Sequence, residues 1–344
     1  MTDEFRPTLV LTTGDPTGIG PEMTARILAQ SDIRDSADIV VLGDRRVLEM
    51  GMTQAGVSLT IDLICSAEDA RHDQSAIPMI DLGNMDPAKF VLGAPDPEIG
   101  ARVGDTLKAA VDIARAGHAH GICFAPLHKK AMFDGGWRFK DEHQLFAHLL
   151  SFNGVFREMN VLDGQWMSRV TSHVSLREAL DLITPQRISE ALHLTDTMLR
   201  RAGIAAPRIA VAALNPHNGE GGLFGTEEID IIRPAVEAAQ AEGICCDGPF
   251  PSDTVYLKAF AGEYDSVLAM YHDQGQIATK LKGFNKGVTV TSGLPIIFTT
   301  PAHGTAHDIV GQGIADTGAF ITAIRLATKL AIAQHCPKPE DQSA

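Results

Sequence analysis

The chain has 344 residues, of which 44% are apolar and 21% are charged. This composition is that of a folded protein of about two domains, and it excludes a disordered or fibrous chain. The 29 basic and 43 acidic residues give a net charge of −14, which disfavours binding to nucleic acid or anionic lipid. No apolar run approaches the roughly 18 residues of a membrane helix, and the first residues do not resemble a signal peptide. We therefore expect a cytoplasmic protein with neither nucleic-acid nor membrane partners.

Short β-rich runs alternate with longer segments of helical periodicity. In chain order, strands are predicted at Thr8–Thr12, Ile39–Leu42, Ile122–Phe124, Ile209–Leu214, Val267–Met270, Val288–Thr291 and Ile296–Thr299. Helices are predicted at Pro21–Gln30, Glu98–Ala116, Pro185–Arg201, Thr226–Glu242 and Ala319–Ala333. This alternation is typical of an α/β fold with a largely parallel sheet. Because no linker rich in Pro, Gly or Ser is present, we expect two domains between which the chain crosses more than once.

The cysteines do not form a recognisable motif. Their number is odd and none belongs to a C-x-x-C pair, so neither a disulfide framework nor a thiolate zinc site is indicated. Buried free cysteine behaves as a small apolar side chain. We expect structural roles for Cys65, Cys123, Cys245, Cys246 and Cys336.

Polar clusters directly follow four of the predicted strands. They are Gly14–Pro16, Pro126–Lys129, Asn215–His217 and Tyr271–Gln274. Ligands of open α/β sheets bind beyond the carboxyl ends of the strands. We therefore expect these clusters to line one cleft.

The first cluster belongs to the segment GDPTGIGPE, Gly14–Glu22. Its glycines suit a tight turn, and Pro21 suits the first position of a helix whose free N–H groups would attract an anion. A plain strand-to-helix turn is the alternative. Met23 stands where a G-x-G-x-x-G fingerprint has its third glycine, so a Rossmann dinucleotide site is not expected.

Three histidines from separate segments are candidate metal ligands. They are His173 in VTSHVSL, His217 in NPHNGEGG and His272 in MYHDQG. A single histidine is most often a hydrogen-bonded core or surface residue, whereas three neutral imidazoles in one cleft form a divalent-metal site with positions open to substrate and water. The spacing is not that of a local metal motif, so both interpretations stay open at this point.

The segment His303–Asp316, HGTAHDIVGQGIAD, also has two interpretations. Gly304 and its small neighbours suit a backbone that approaches a ligand closely, and Asp308 is placed to bond a ribose or an adenine edge. Alternatively, the segment is a loop that enters a helix with an Asp cap.

Together these motifs resemble the 4-hydroxythreonine-4-phosphate dehydrogenase family of vitamin B6 biosynthesis, over nearly the whole chain. The matching strings are GDPTGIGPE, PLHK, TSHVSLREALDLITP, NPHNGEGGLFGTEEIDIIRP, GPFPSDT, AMYHDQG, KGVTVTSGLP and HGTAHDIVGQGIAD. The resemblance implies an α/β fold similar to isopropylmalate dehydrogenase, with two domains and a cleft between them. We expect the first domain at residues 1–127 and 290–344, including the cofactor loop, and the second at 128–289.

The resemblance also implies the ligands and partners. They are a small-molecule substrate, a second copy of the chain in a homodimer, NAD or NADP as oxidant, and one divalent metal ion such as Zn, Mg, Mn or Co. The metal ligands fall on His173, His217 and His272. The HGTAHD string resembles the adenosine-binding loop of the β-hydroxyacid oxidative decarboxylases, which implies cofactor contacts from His303, Gly304, Thr305 and Asp308.

The substrate positions depart from the family pattern. The family's His-Thr pair falls on His143 and Gln144, and the family lysine falls on Lys280. Thr289 stands in place of a substrate-binding asparagine and Phe298 in place of an arginine. An arginine fork is a natural clamp for phosphate. The substrate therefore stays open between 4-hydroxythreonine-4-phosphate, another 4-phosphorylated sugar acid such as threonate, and a carboxylated cis-dihydrodiol, since related branches of the family oxidise the last two.

The leading hypothesis is a metal-dependent dehydrogenase that oxidises a secondary alcohol with NAD(P), after which the β-keto acid loses carbon dioxide. Lys280 and Asp253 are the candidates for proton transfer or substrate positioning. A tri-histidine metallohydrolase and a non-catalytic small-molecule binder are the alternatives from other classes. The hydrolase would need no dinucleotide, so a titration with NAD or NADP separates it from the dehydrogenase. The non-catalytic binder is disfavoured because all three metal histidines and the lysine are present.

Overall fold

The computed structural model describes residues 5–70, 75–283 and 286–335. The chain divides into two compact units. Unit 1 is formed by Met1–Asn153 and Leu294–Ala344, and unit 2 by Gly154–Gly293. The chain therefore leaves unit 1 once and returns to it, as expected for a chain that crosses between domains more than once.

The helices and strands alternate along the chain. The strands are β1 (Thr8–Thr12), β2 (Asp38–Gly43), β3 (Ile61–Leu63), β4 (Ile77–Asp81), β5 (Gly121–Phe124), β6 (Arg157–Leu162), β7 (Gln165–Arg169), β8 (Ile209–Ala212), β9 (Cys246–Phe250), β10 (Ser266–Ala269), β11 (Val288–Ser292) and β12 (Ile297–Pro301). The helices are α1 (Gly20–Leu28), α2 (Ser31–Ser36), α3 (Arg45–Ala55), α4 (Pro97–Arg115), α5 (Lys129–Asp134), α6 (Glu142–Leu149), α7 (Leu176–Leu182), α8 (Pro185–Arg201), α9 (Arg233–Ala241), α10 (Ser252–Phe260), α11 (His272–Gly283) and α12 (Gly318–His335). The predicted α/β fold is confirmed.

The described strands of unit 1 pair in parallel in the order β3-β4-β2-β1-β5-β12. Their central members are almost entirely buried, which matches uninterrupted apolar runs such as TLVLT in β1. Strands buried on both faces have this pattern in parallel sheets. Helix α4 packs on β1, β2 and β5, and α12 packs on β5 and β12.

Unit 2 combines parallel and antiparallel pairing in the order β11-β6-β7-β10-β8-β9. Strands β7, β10, β8 and β9 are parallel, whereas β6 runs antiparallel to both β11 and β7. Among the described pairings the sheet is thus largely parallel, as expected, and β6 is the antiparallel exception. The cause is a hairpin at Asp163-Gly164, where both residues have positive φ, a two-residue turn that joins antiparallel strands.

Residues 128–153 pack within unit 1, although the sequence analysis assigned them to the second domain. Helix α5 lies against α4 so closely that a Cβ on Gly100 would come within 2.2 Å of the Ala131 backbone. In α6, Phe146 stacks on Phe298 with ring centres 3.9 Å apart and meets Phe124 edge-on at 5.5 Å. These aromatic contacts hold α6 on β5 and β12 of the same unit.

The cysteines are only partly as expected. Cys123 and Cys246 are buried, but Cys65 and Cys245 are exposed, and Cys336 lies outside the described residues. Burial raises the pKa of both the Cys123 and the Cys246 thiols to about 12. Among the described residues, no helix combines the length and apolarity needed to cross a bilayer.

Candidate functional site

The three candidate metal ligands follow three neighbouring parallel strands of unit 2. His173 comes shortly after β7, His272 after β10 and His217 after β8, and these strands are adjacent in the order β7-β10-β8. Neighbouring strands lie about 4.8 Å apart. The pairing therefore directs all three segments to one edge of the sheet. Of the four polar clusters, Asn215–His217 and Tyr271–Gln274 belong to this unit, and Gly14–Pro16 and Pro126–Lys129 belong to unit 1.

His173 and His272 lie side by side in an open cleft of about 190 Å³. Their ring centres are 5.5 Å apart. His272 Nδ1 bonds the Asp273 carboxylate at 2.8 Å. Because a carboxylate can only accept, this bond leaves the lone pair of His272 on Nε2, the arrangement common to metal-binding histidines. The remaining lining residues are Thr171, Ser172, Val174, Leu176, Ala179 and Tyr271.

His217 lies in an unusual left-handed turn. Five consecutive residues, 217 to 221, have φ between 44° and 73°, although a left-handed conformation costs roughly 1–2 kcal/mol for each residue other than glycine. Among the described residues, five of the seven non-glycine positions with positive φ fall in the predicted metal and cofactor segments: His173, His217, Asn218, Glu220 and Ala306. Backbone strain of this kind clusters at functional sites.

Glu228 holds the left-handed turn in place. This carboxylate is fully buried and accepts hydrogen bonds from the backbone N–H groups of Leu214 at 2.8 Å and Asn215 at 2.7 Å. Asn215 Nδ2 donates a third at 3.0 Å. A Cβ on Gly219 would come within 2.7 Å of Glu228 Oε2. The motif analysis did not single out Glu228, although the adjacent acids in the GTEEID segment were a visible signal.

The positions of the three histidines fit the coordination of a divalent metal ion only in part. Two imidazoles bound to one zinc ion at about 2.1 Å have ring centres roughly 5 Å apart, close to the observed separation of His173 and His272. Within residues 5–70, 75–283 and 286–335, no three His, Cys, Asp or Glu side chains are close enough together to hold a metal ion. The structure thus brings two of the three candidate ligands together and holds His217 in a separate strained turn.

A buried polar network connects Thr289 to the histidine pair. Asn160 Nδ2 donates to Thr289 Oγ1 at 3.0 Å, and Arg169 bonds the Asn160 side chain. Arg169 also pairs with Glu158 at 3.1 Å, and the other Glu158 oxygen lies 3.7 Å from His173 Nε2. The Thr289 hydroxyl is therefore engaged within unit 2. Asn160 and Arg169 escaped the sequence analysis because β6 and β7 were not predicted.

The candidate proton-transfer residues lie outside the lining of the histidine cleft. Lys280 is exposed on α11, eight residues after His272 and thus about 12 Å farther along the helix axis. Asp253 is exposed in the first turn of α10, after β9, the strand next to β8. Both side chains belong to unit 2.

In unit 1, the GDPTGIGPE segment contacts the predicted cofactor loop. The two segments follow β1 and β12, which flank β5 in the sheet. Ile19 N–H donates to the Thr305 carbonyl at 3.0 Å, and a Cβ on Gly18 would come within 2.5 Å of that oxygen. Gly18 is therefore required by this close approach.

Glu22 anchors the far end of the cofactor loop. Its buried carboxylate accepts a hydrogen bond from Ala315 N–H at 2.9 Å and pairs with Arg26 at 3.0 Å. Arg26 in turn donates to the Gly313 carbonyl at 2.7 Å. Helix α1 thus orders the loop, and no free anion site at its N-terminus is needed to explain the motif.

The predicted cofactor residues differ in exposure. Gly304 and Asp308 are exposed, His303 is half-buried, and Thr305 is buried. Nothing lies within 4 Å of a Cβ built on Gly304, so the fold does not require glycine there. The Asp308 carboxylate has no hydrogen-bond partner among the described residues.

The substrate positions of unit 1 are divided between its interior and its surface. His143 is buried beside Glu142, which pairs with Lys129 at 2.8 Å. Gln144 is exposed, and Phe298 is 1% exposed in the aromatic stack with Phe146. The structure thus places Phe298 in the core of unit 1.

Polar segments at the carboxyl ends of parallel strands define an α/β protein that binds small molecules. The chain belongs to the PdxA family: the family model described as pyridoxal phosphate biosynthetic protein PdxA matches residues 35–327. This confirms the family indicated by the motifs.

The relatives carry dehydrogenase names. A putative 4-hydroxythreonine-4-phosphate dehydrogenase 2 of Rhizobium meliloti is 48% identical, over 96% of this chain and 95% of the relative. A D-threonate 4-phosphate dehydrogenase of Pectobacterium atrosepticum is 39% identical, over 94% and 99%. Dehydrogenases of this kind use NAD(P) and a divalent metal in general, which favours the dehydrogenase over the hydrolase and the binder.

Solved structures agree with this assignment. The 4-hydroxythreonine-4-phosphate dehydrogenase of Klebsiella pneumoniae matches with a TM-score of 0.82 and 37% identity, over 94% of this chain and 99% of that one. A terephthalate 1,2-cis-dihydrodiol dehydrogenase of Burkholderia xenovorans matches with a TM-score of 0.65 and 29% identity, over 94% and 98%.

Replacing Glu228 with Gln tests whether this carboxylate holds the strained turn. Glutamine replaces one of the two accepting oxygens of Glu228 with an NH₂ group, which cannot accept the hydrogen bonds donated there. We therefore expect the free energy of unfolding to fall by about 1–3 kcal/mol. Urea denaturation measures the loss, and hydrogen exchange of residues 214–222 should accelerate. Glu227→Gln is the matched control, because Glu227 accepts only from Asn215 Nδ2 at 2.6 Å. Equal losses in the two variants would contradict this role.

Proposed function

We propose that the protein is an NAD-linked, divalent-metal-dependent dehydrogenase. It oxidises the secondary alcohol of a 4-phosphorylated hydroxy acid, and the resulting β-keto acid loses carbon dioxide. The observation that carries the proposal is the His173–His272 pair at the ends of neighbouring strands, in a chain of a dehydrogenase family.

The metal would be held by His173, His217 and His272. Coordination by His217 requires the left-handed turn to approach the other two ligands, and the αL strain of that turn supports a functional reason for its shape. Imidazole ligands favour an ion such as Zn²⁺ or Co²⁺ over Mg²⁺. When bound, the metal polarises the substrate hydroxyl and the dinucleotide accepts the hydride.

Asp253 and Lys280 complete the proposed site. The Asp253 carboxylate, without a hydrogen-bond partner among the described residues, is suited to accept the proton of the hydroxyl. The Lys280 ammonium is suited to bind the substrate carboxylate. His143 and Gln144 of unit 1 are the proposed hydrogen-bonding residues for the remaining substrate hydroxyls.

The dinucleotide would lie along His303–Asp308. Gly304 leaves open space for a ligand, and Asp308 offers an unpaired carboxylate. A carboxylate near the ribose accepts hydrogen bonds from its hydroxyls and repels a 2′-phosphate. We therefore infer NAD rather than NADP as the oxidant.

The substrate is inferred from the positively charged side chains that are available to bind a phosphate group. Phe298 supplies no positive charge for a phosphate. Three lysines already have partners: Lys129 pairs with Glu142, Lys130 pairs with Asp134, and Lys282 lies over the Phe260 ring. Lys286 is exposed, precedes Thr289 by three residues in the chain, and has no ion-pair partner among the described residues. We infer that Lys286 binds the phosphate of a sugar acid such as D-threonate 4-phosphate, the substrate named for one relative.

A second candidate is the oxidation of an unphosphorylated, carboxylated cis-dihydrodiol. The burial of Phe298 in the aromatic stack favours it, because an arginine clamp is absent there. The match to a terephthalate dihydrodiol dehydrogenase points the same way. The substrate test below separates the two candidates.

We also infer a homodimer. Leu257 of α10 and Ile277 and Leu281 of α11 are 60% to 84% exposed, and Lys282 lies over the Phe260 ring at 5.3 Å, which shows that the two helices are neighbours. Exposed apolar patches of this kind mark interfaces. In sedimentation equilibrium, Leu281→Glu should convert a dimer to a monomer. A monomeric wild-type protein would exclude the interface.

The metal prediction concerns each histidine singly. Replacement of His173, His217 or His272 by Ala should abolish both metal retention and turnover, because two imidazoles do not complete a site for an ion such as zinc. Mass spectrometry of bound metal and the visible spectrum of the cobalt-loaded protein measure retention. His193→Ala, on the exposed face of α8, is the control. A His217→Ala protein that keeps its metal and its activity would show that this ligand is wrong.

The cofactor prediction is tested by substitutions at Gly304 and Asp308, two exposed positions of the predicted cofactor loop. Gly304→Ala should raise the KM for NAD while thermal stability stays unchanged, because the added methyl group meets only the ligand. Asp308→Ser should raise kcat/KM for NADP relative to NAD by removing the repulsion of the 2′-phosphate. Unchanged NAD and NADP kinetics in both variants would place the dinucleotide elsewhere.

The substrate prediction compares phosphorylated and unphosphorylated acids. We expect D-threonate 4-phosphate to be the better substrate and 4-hydroxythreonine-4-phosphate to fall well below 10⁴ M⁻¹s⁻¹ in kcat/KM, an ordinary value for an enzyme's own substrate. Lys286→Gln should lower kcat/KM for the phosphorylated acid about 10-fold to 100-fold and leave a carboxylated cis-dihydrodiol unaffected. Lys130→Gln is the control. Efficient turnover of the dihydrodiol alone would favour the second candidate.

A further inference from the structure

Three residues of unit 1 form a hydrogen-bonded chain beneath the cofactor loop. Thr17 Oγ1 donates to Asp15 Oδ1 at 2.7 Å and also lies 3.2 Å from His307 Nε2. Asp15 is 1% exposed and Thr17 is fully buried, whereas His307 is half-buried. This series of hydrogen bonds therefore extends from the interior of the unit to its surface.

The hydrogen bonds among Asp15, Thr17 and His307 determine which nitrogen of His307 carries the proton. A threonine hydroxyl has one proton, and Thr17 gives it to the Asp15 carboxylate, which can only accept. The contact with His307 therefore requires Nε2–H to donate to Thr17 Oγ1. In the neutral imidazole the lone pair is then on Nδ1, which has no hydrogen-bond partner among the described residues.

The tautomer of His128 is assigned by the opposite bond. His128 is the N-cap of α5, and its Nδ1 accepts the Ala131 backbone N–H at 3.1 Å. Its proton is therefore on Nε2. The described residues supply no partner for this N–H group either.

The two imidazoles are parallel and have complementary polarity. The rings of His128 and His307 differ by 2° in orientation, and their centres are 5.4 Å apart. Their segments follow the neighbouring strands β5 and β12. Both segments are tied to the one that follows β1: Asp15 N–H donates to the Pro126 carbonyl at 3.0 Å, and Ile19 N–H to that of Thr305. The pair thus combines a fixed donor, His128 Nε2–H, and a fixed acceptor, His307 Nδ1, on two parallel rings whose centres are 5.4 Å apart.

We propose that His128 and His307 recognise a planar group whose N–H donor stands beside an acceptor. The adenine edge and the carboxamide of nicotinamide share this chemistry, and either bridges the two rings through a pair of hydrogen bonds of about 2.9 Å. The inference rests on the proposed use of a dinucleotide, and it makes this pair a specificity determinant in addition to the contacts predicted for His303, Gly304, Thr305 and Asp308. It predicts discrimination against dinucleotides in which the recognised N–H₂ group is absent.

Calorimetric titration tests the proposal with three ligands. NAD has both groups, nicotinamide hypoxanthine dinucleotide lacks the adenine amino group, and 3-acetylpyridine adenine dinucleotide lacks the carboxamide amino group. Loss of one neutral hydrogen bond should weaken binding about 3-fold to 10-fold. The hypoxanthine analogue should lose at least this much if adenine is recognised, because its O6 is an acceptor and its N1 bears a proton. The wild type should discriminate against one of the analogues by that factor, and the discriminated analogue identifies the recognised end of NAD.

The variants separate recognition from folding. His307→Leu should bind NAD about 3-fold to 10-fold more weakly and bind the discriminated analogue as the wild type does. His128→Asn should also weaken NAD binding while it keeps α5 capped, because asparagine is a favoured N-cap. His193→Leu is the control. Thermal unfolding of each variant verifies that the fold is intact.

The outcomes distinguish this inference from the proposed function. If the wild type binds NAD and both histidine variants bind it equally well, the inference is overturned while the proposed function stands. If His307→Leu loses affinity equally for all three ligands, His307 acts structurally and the inference is also overturned. A wild type that binds neither NAD nor NADP would overturn both.

Discussion

Parallel pairing of neighbouring strands is the constraint on which both candidate sites depend. Residues after β7, β10 and β8 are separated by dozens of positions in the chain, yet the pairing of these strands directs them to one edge of unit 2. The same holds for the segments after β1, β5 and β12 in unit 1. Parallel strands point their carboxyl ends in one direction, so each sheet collects its polar loops without any local motif.

Buried carboxylates give these loops their shapes. Glu228 bonds the backbone that enters the left-handed turn of His217, and Glu22 bonds the end of the cofactor loop. Asp15 accepts a hydrogen bond from the Thr17 hydroxyl, which therefore accepts from His307 Nε2–H and orients that ring. Burying a carboxylate is costly unless it accepts hydrogen bonds, and N–H groups of irregular loops need acceptors. At Glu228 both oxygens are bonded, so the two requirements are met together and the chain keeps the strained turn of His217.

The departures from the family pattern have structural consequences beyond the substrate. Phe298 is part of the stack that holds α6, and with it His143, on the sheet of unit 1. An arginine at that position would bury a charge among aromatic rings, which is costly without a partner. Thr289 is likewise bonded to Asn160, within a network that contains Arg169. Both positions are therefore engaged with neighbouring side chains of their own unit.

The amino-acid sequence by itself determined the α/β class, most central strands, the long helices and the family, because apolar periodicity and motifs are local properties. Strands β6 and β7 were not predicted, although the Asp163-Gly164 turn was a visible hairpin signal. One helix was predicted across 226–242, but a π-helical turn at Glu228–Ile232 precedes α9 there, and Pro234 cannot donate a backbone hydrogen bond. Only the tertiary structure decided that Phe298 is core, that Glu228 holds the His217 turn, and that His128 stacks on His307. Those facts depend on contacts between distant segments, and burial and hydrogen-bond partners are set by such contacts rather than by the residue types alone.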